Sequence, residues 1–264
     1  MQDSFRDQIV ETVLNNYYLI TQYERIKLNL EFVDDLYARR LELDRNDKEG
    51  YEFSKDITAF IAGLNGTIVI PQTTSEVHHV LIAKKAVNET LTFVGTLVHE
   101  TTHIHDFFDF STEFCNGNYE AIEQHDLFGV LYYWTEFHAA RNGYLFKRDT
   151  FFQLNGINNS IEDQVDHILK TELKMHYENL LKELKKYSQD KTLYIYSVMQ
   201  FFGVFAAFED LFPDQINPDE ISDNIQIFNF KIFKLYELLR SMTTFDIAKE
   251  KFGELEVSLG SLFN

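Results

Sequence analysis

The chain has 264 residues, 45% of them apolar and 15% aromatic, and its 42 acidic against 24 basic residues give a formal charge of -18. That composition argues against disorder, and the negative balance lowers the expectation of nucleic-acid or anionic-membrane binding, because phosphate is repelled. A lone Cys115 leaves no internal disulfide or thiolate cluster, and only three prolines and eleven glycines interrupt the text, which favours long helices.

In chain order, residues 4 to 40 read as one long helix or two joined ones, with Ile9, Val13, Leu14, Tyr17, Ile20 and Leu28 at helical spacing. The polar stretch Leu43 to Tyr51 reads as a loop. After Asn65-Gly66 comes TIVIP, a short strand closed by Pro71, and the segment Glu76 to Ala83 is compatible with a second. If it is a strand, His78 and His79 face opposite ways. Asn88 is a candidate N-cap for a helix from about residue 89 to about 108. The loop STEFCNGN follows, then an apolar helical stretch from about Tyr119 to about Leu145. From residue 160 onward four helical segments are expected, one of them starting at Asn217-Pro218-Asp219-Glu220. The text shows no repeat and no convincing linker. The expectation is a single α+β domain, mostly helical, over residues 1 to 264, with a small sheet.

The start MQDSFRDQIVETVL lacks the profile of a secretory signal, and no uninterrupted apolar run reaches bilayer length. A cytoplasmic location is therefore the default expectation. The text gives no oligomeric state.

The stretch LVHETTHIHDFFDF, residues 97 to 110, carries the chemistry. Residues four apart lie almost above one another on a helix, so His99 and His103 share a face and can converge on one zinc ion. Glu100 is offset around the helix, where its carboxylate can reach metal-bound water instead of the metal. Gly95, one turn before His99, leaves room for a neighbouring strand. Asp106 shares the face of both histidines and can orient a ligand from behind, since zinc-bound imidazoles commonly donate their free N–H to a carboxylate. His105 is expected to point elsewhere.

This His-Glu-x-x-His arrangement, after the order TIVIP…EVHHVLIA…HETTH, resembles the HExxH zinc metallopeptidases, the zincins. The resemblance covers about residues 60 to 145. It implies a sheet packed beside the motif helix, an edge strand that aligns a peptide or protein substrate, and zinc as cofactor. The compact spacing looks most like cytoplasmic bacterial or phage-associated members. Asp106 and Asp109 stand where the metzincin extension would need glycine and histidine, which disfavours that branch.

The gluzincin branch takes a glutamate from a second helix, and two residues compete for that role. Glu136, in WTEFHAARNGY, resembles the Glu-x-x-x-Ala segment, with Ala139 and Ala140 giving a narrow surface and Trp134 and Phe137 anchoring it. Glu123, in NYEAIEQHD, is 20 residues beyond His103 and resembles the thermolysin-like spacing. Glu136 is preferred, because a charge among large apolar residues needs a buried partner. The choice requires a chain break near Gly129 or a linker that runs back past the motif helix. Otherwise Glu136 would pair with Arg141 or another base. His138, Tyr144, Tyr132 and Tyr133 are candidates to stabilise an oxyanion.

The expected activity is peptide-bond hydrolysis with Glu100 as general base. The alternative is a non-catalytic helical interaction protein with a structural or vestigial metal site.

Overall fold

The computed structural model describes residues 3–43, 63–155, 169–213 and 230–262. The expected loop at 43–51 beyond Leu43 and the helix start at 217–220 lie outside them. The described chain is mostly helical with one three-stranded mixed sheet. It divides into two compact units, residues 1–125 with 146–151, and residues 126–145 with 152–264.

In the first unit, α1 (Asp3–Thr21) leads to β1 (Leu28–Val33), α2 (Leu36–Leu43), β2 (Gly66–Val69) and β3 (His78–Ala83). The four-residue α3 (Lys84–Val87) then precedes α4 (Thr90–Phe114). The expected helix over 4–40 is corrected here, since its middle is a strand. Gln22 sits at φ 60, in the left-handed region that stops a helix. Beyond it, Leu28-Asn29-Leu30-Glu31-Phe32-Val33 begins with apolar–polar alternation, the period of a strand. No glycine or proline marks that break, so helical spacing ran straight through it.

The strand order is β1-β3-β2, with β1 parallel and β2 antiparallel to β3. Val80 and Ile82 of β3 pack into one core with Phe93, Val94, Leu97 and Val98 of α4 and with Val13 and Tyr17 of α1. Burying each of these large side chains stabilises the fold by about 1.5–3 kcal/mol. The sheet thus packs on the helix that carries the histidine motif.

Asn88 is corrected too. Its backbone is helical (φ -69, ψ -20) and it closes α3, while Glu89 is the extended residue before α4. Helix α4 runs on to Phe114, beyond the expected end near residue 108. Asn116 (φ 52) and Gly117 (φ 77) then turn the chain, and this turn is laced to the segment before β3 by Thr74 N–H to Gly117 C=O at 3.0 Å. A Cβ on Gly117 would meet Thr74 Oγ1 at 2.8 Å in a left-handed backbone, so glycine is required there.

The stretch expected to be one helix from 119 to 145 is instead a 3-10 turn, Tyr119–Ala121, followed by α5 (Phe128–Asn155). The break therefore falls just before Gly129. Residues 128–145 and 152–155 of α5 belong to the second unit and residues 146–151 to the first.

The second unit continues with a π-helical turn, Leu169–Leu173, then α6 (Lys174–Lys186), α7 (Lys191–Leu211), α8 (Phe230–Ser241) and α9 (Phe245–Ser261). Among the described residues, α7 is long and apolar enough to cross a membrane, and 61% of its apolar window is buried inside the protein. Helices α5 and α7 run side by side in the same direction. Tyr132 lies by Tyr196, Glu136 by Gln200, and Phe137 and Ala140 by Gly203. A Cβ at Gly203 would overlap the Phe137 carbonyl oxygen and come within 2.7 Å of the Ala140 Cβ. Glycine there lets the two backbones touch. Arg141 and Arg240 hold Asp210 from α5 and α8, at 2.7 and 2.6 Å.

Candidate metal centre

In the first unit, α4 places His99 and His103 one turn apart, with their Nε2 atoms 3.0 Å from each other and their rings 4.6 Å apart, edge to face. Two nitrogens bound to one tetrahedral zinc at about 2.0–2.1 Å would sit about 3.3 Å apart. The pair is therefore close to the separation a shared ion needs. Without an ion, the same contact can hold one proton as an N–H···N hydrogen bond.

Glu100 is buried on an adjoining face of α4. Gly66, the first residue of β2, lies against it. A Cβ there would stand 2.6 Å from Thr96 Cγ2, 2.9 Å from Glu100 Cγ and 3.1 Å from Glu100 Oε1. The absence of a side chain at Gly66 thus sets where the Glu100 carboxylate lies. In the sequence, Asn65-Gly66 carried only the signature of a turn.

Other residues of α4 support the motif. The Tyr17 hydroxyl donates to Thr102 Oγ1 at 3.3 Å, and Thr102 Oγ1 donates to the Val98 carbonyl at 2.9 Å. Asp106 is fully buried. His105 lies in a tyrosine cluster, stacked on Tyr23 at 4.5 Å and edge-on to Tyr18 at 5.4 Å. His78 is buried, with Nε2 2.6 Å from the Tyr119 hydroxyl, and desolvation lowers it to about 4. His79 faces the other way, toward Asn29 and Glu31.

In the second unit, Glu136 is buried on α5. Desolvation pushes its carboxyl up to about 8, partly offset by hydrogen bonds from Gln200 and Tyr196. Gln200 donates to Glu136 Oε2 at 3.4 Å and to the Tyr196 hydroxyl at 2.6 Å. Sequence reasoning missed both α7 residues. Their spacing of four on one helix was visible, but their contact with Glu136 exists only once α7 has packed. Arg141, the partner considered for Glu136, pairs with Asp210.

His138 is stacked on Trp134 at 5.0 Å, with Nε2 3.1 Å from Asn142 Nδ2. The Tyr144 hydroxyl donates to Glu172 at 2.9 Å. Tyr132 and Tyr133 lie one turn before Glu136.

Among the described residues, one group has the donors to hold a metal ion. Single ligand atoms of His99, His103 and Glu136 all lie within 4.8 Å of one another. Glu123 is outside it, exposed in the segment between the 3-10 turn and α5. Two imidazoles and one carboxylate are the donor set of a hydrolytic zinc site with a position left for solvent. Comparison with protein families, curated proteins and solved structures gives no match.

Proposed function

We propose that the chain is a zinc-dependent metallopeptidase of the HExxH kind, with His99, His103 and Glu136 as ligands and Glu100 as general base. The observation that carries this reading is the convergence of those three donors within 4.8 Å. The buried position of Glu136 supports it, because an ionised carboxylate away from water needs a cation beside it. A sheet packed on α4, with β2 at its edge against Glu100, supports the zincin-like arrangement and a peptide laid along that edge.

A zinc ion held there supplies a Lewis acid that polarises a carbonyl and acidifies a water. Glu100 accepts the proton of the attacking water and returns it to the departing amine. Gly66 fixes where that carboxylate can stand. Gln200 and Tyr196 orient the Glu136 carboxylate through their hydrogen bonds. The Tyr196 hydroxyl, hydrogen-bonded to Glu136, is a phenol available to a developing oxyanion there.

The test pairs zinc content with peptide hydrolysis in the purified full chain. Glu100→Gln should keep one zinc per chain and lose about 10²–10⁴ in kcat. His103→Ala should lose both zinc and turnover. Full turnover in the Glu100→Gln protein would remove Glu100 as the base. Zinc held with all positions filled by protein would favour a structural site in a helical interaction protein.

A further inference from the structure

The second unit holds an open hollow of about 260 Å³ lined by Phe128, Gly129, Tyr132, Tyr133 and Thr192. On α5, residues 129, 132, 133 and 136 follow the i, i+3, i+4, i+7 spacing, so the hollow and Glu136 occupy one stripe of that helix. On α7, Thr192, Tyr196 and Gln200 are four apart and form the facing stripe. The Tyr132 and Tyr196 rings lie 6.3 Å apart, and Tyr133 and Thr192 are joined by a hydrogen bond. The inner end of these paired stripes is the Glu136–Gln200–Tyr196 contact. The outer end is the hollow.

We infer that this hollow receives a large apolar side chain, aromatic or leucine-like, of a peptide bound at the proposed zinc site. The inference rests on the metallopeptidase reading for what the peptide is there to undergo. The walls are aromatic faces and helix backbone, which favour a flat apolar ring over a charged group. The volume suits one such side chain and its backbone. Tyr132 lies about 6 Å along the helix axis from Glu136, and Gly129 about 10 Å. An extended peptide advances about 3.4 Å per residue, so the occupant lies within two or three residues of the bond beside Glu136. The acidic chain disfavours an aspartate or glutamate at that position.

The test uses full-length Glu100→Gln protein, loaded with zinc so that peptides bind without being cut. The probes are capped pentapeptides Ac-Gly-Gly-Xaa-Gly-Gly-NH2 with Xaa as Phe, Leu, Ala or Asp, measured by titration calorimetry. The Phe and Leu peptides should bind at least about tenfold more tightly than the Ala and Asp peptides, the discrimination expected from burying several carbons. A Cβ at Gly129 meets nothing within 4 Å, and Gly129 lines the hollow, so Gly129→Phe should set its ring there, with circular dichroism and the urea midpoint checking that the variant is folded. In that second variant the preference should fall below about threefold.

Equal affinity for all four peptides overturns the inference, and so does a Phe preference that Gly129→Phe leaves intact. A concentration-dependent dimer abolished by Gly129→Phe, with no peptide preference, overturns it in favour of a second copy of the chain. The metal reading fails separately. A chain that takes up no zinc yet loses its Phe preference on Gly129→Phe keeps the hollow as a peptide side-chain site and drops the hydrolase.

Discussion

His99 and His103 on α4 are neighbours through helix periodicity alone, and their 3.0 Å separation belongs to a single element. Glu136 on α5 depends on packing instead. Its environment is made by Gln200 and Tyr196, which lie more than fifty residues away on α7. The first pair would be brought close by any stable helix through residues 99 to 103. The carboxylate meets Gln200 and Tyr196 only when α5 begins at Phe128 and α7 lies beside it. One half of the candidate centre is therefore encoded locally and the other by tertiary contact.

The largest expected effect removes the tertiary half. Glu136→Gln is close to isosteric and relieves the buried acid, so the protein should fold. Losing an outer partner of a ligand costs about 10–100-fold in metal affinity, and losing the ligand itself should exceed that range, measured by competition with a chromogenic chelator. Wild-type affinity would show that the histidines bind alone.

The next effect breaks the packing that supports Glu136. Gly203→Ala sets a Cβ against the Phe137 carbonyl oxygen, a backbone atom with no rotamer to escape to. It should cost about 3 kcal/mol in urea unfolding. A neutral result would mean that α5 and α7 are farther apart than described.

Gly66→Ala probes the local half at a strand residue that lies against Glu100. It should push Glu100 aside and lower kcat by about a hundredfold while zinc stays bound, since a 1 Å misplacement has that order of effect. Loss of zinc instead would place the disturbance at the histidines.

The smallest effect separates the units by pH. His78 in the first unit is lowered from 6.5 to about 4 by burial, so the unfolded chain binds its proton first. Stability should be full above about 6.5 and fall as pH drops toward 4. Glu136 in the second unit is raised from 4.5 to about 8, so metal-free stability is full below 4.5 and falls as pH rises through 8. Denaturation curves of His78→Gln and Glu136→Gln should each lose one of these slopes, and bound zinc should abolish the alkaline one.

The legible parts of the sequence follow the same division. The His-Glu-x-x-His helix could be read because three residues within one helical turn carry their own geometry. The strand TIVIP could be read because Asn65-Gly66 and Pro71 bound it, whereas EVHHVLIA, a short apolar run leading straight into a helix, was only compatible with a strand. β1 was hidden, since no glycine or proline separates it from α1 and its leucines also suit a helix. Glu136 stood out by chemistry, a charge between Trp134 and Phe137, whereas the exposure of Glu123 could not be read from spacing. Gly66 and Gly203 were opaque, because a glycine chosen for close approach is spelled like one chosen for a turn. Tyr196 and Gln200 were opaque because nothing local marks them as neighbours of α5.

A close backbone contact between two helices fixes how their side chains meet on either side of it. Gly203 makes that contact for α5 and α7, and Thr192 lies eleven residues, about 16 Å, back along the same helix. The hollow thus lies along two helices that a missing side chain draws together. Replacing Gly203, far from any bound peptide, should therefore alter which residues the hollow admits.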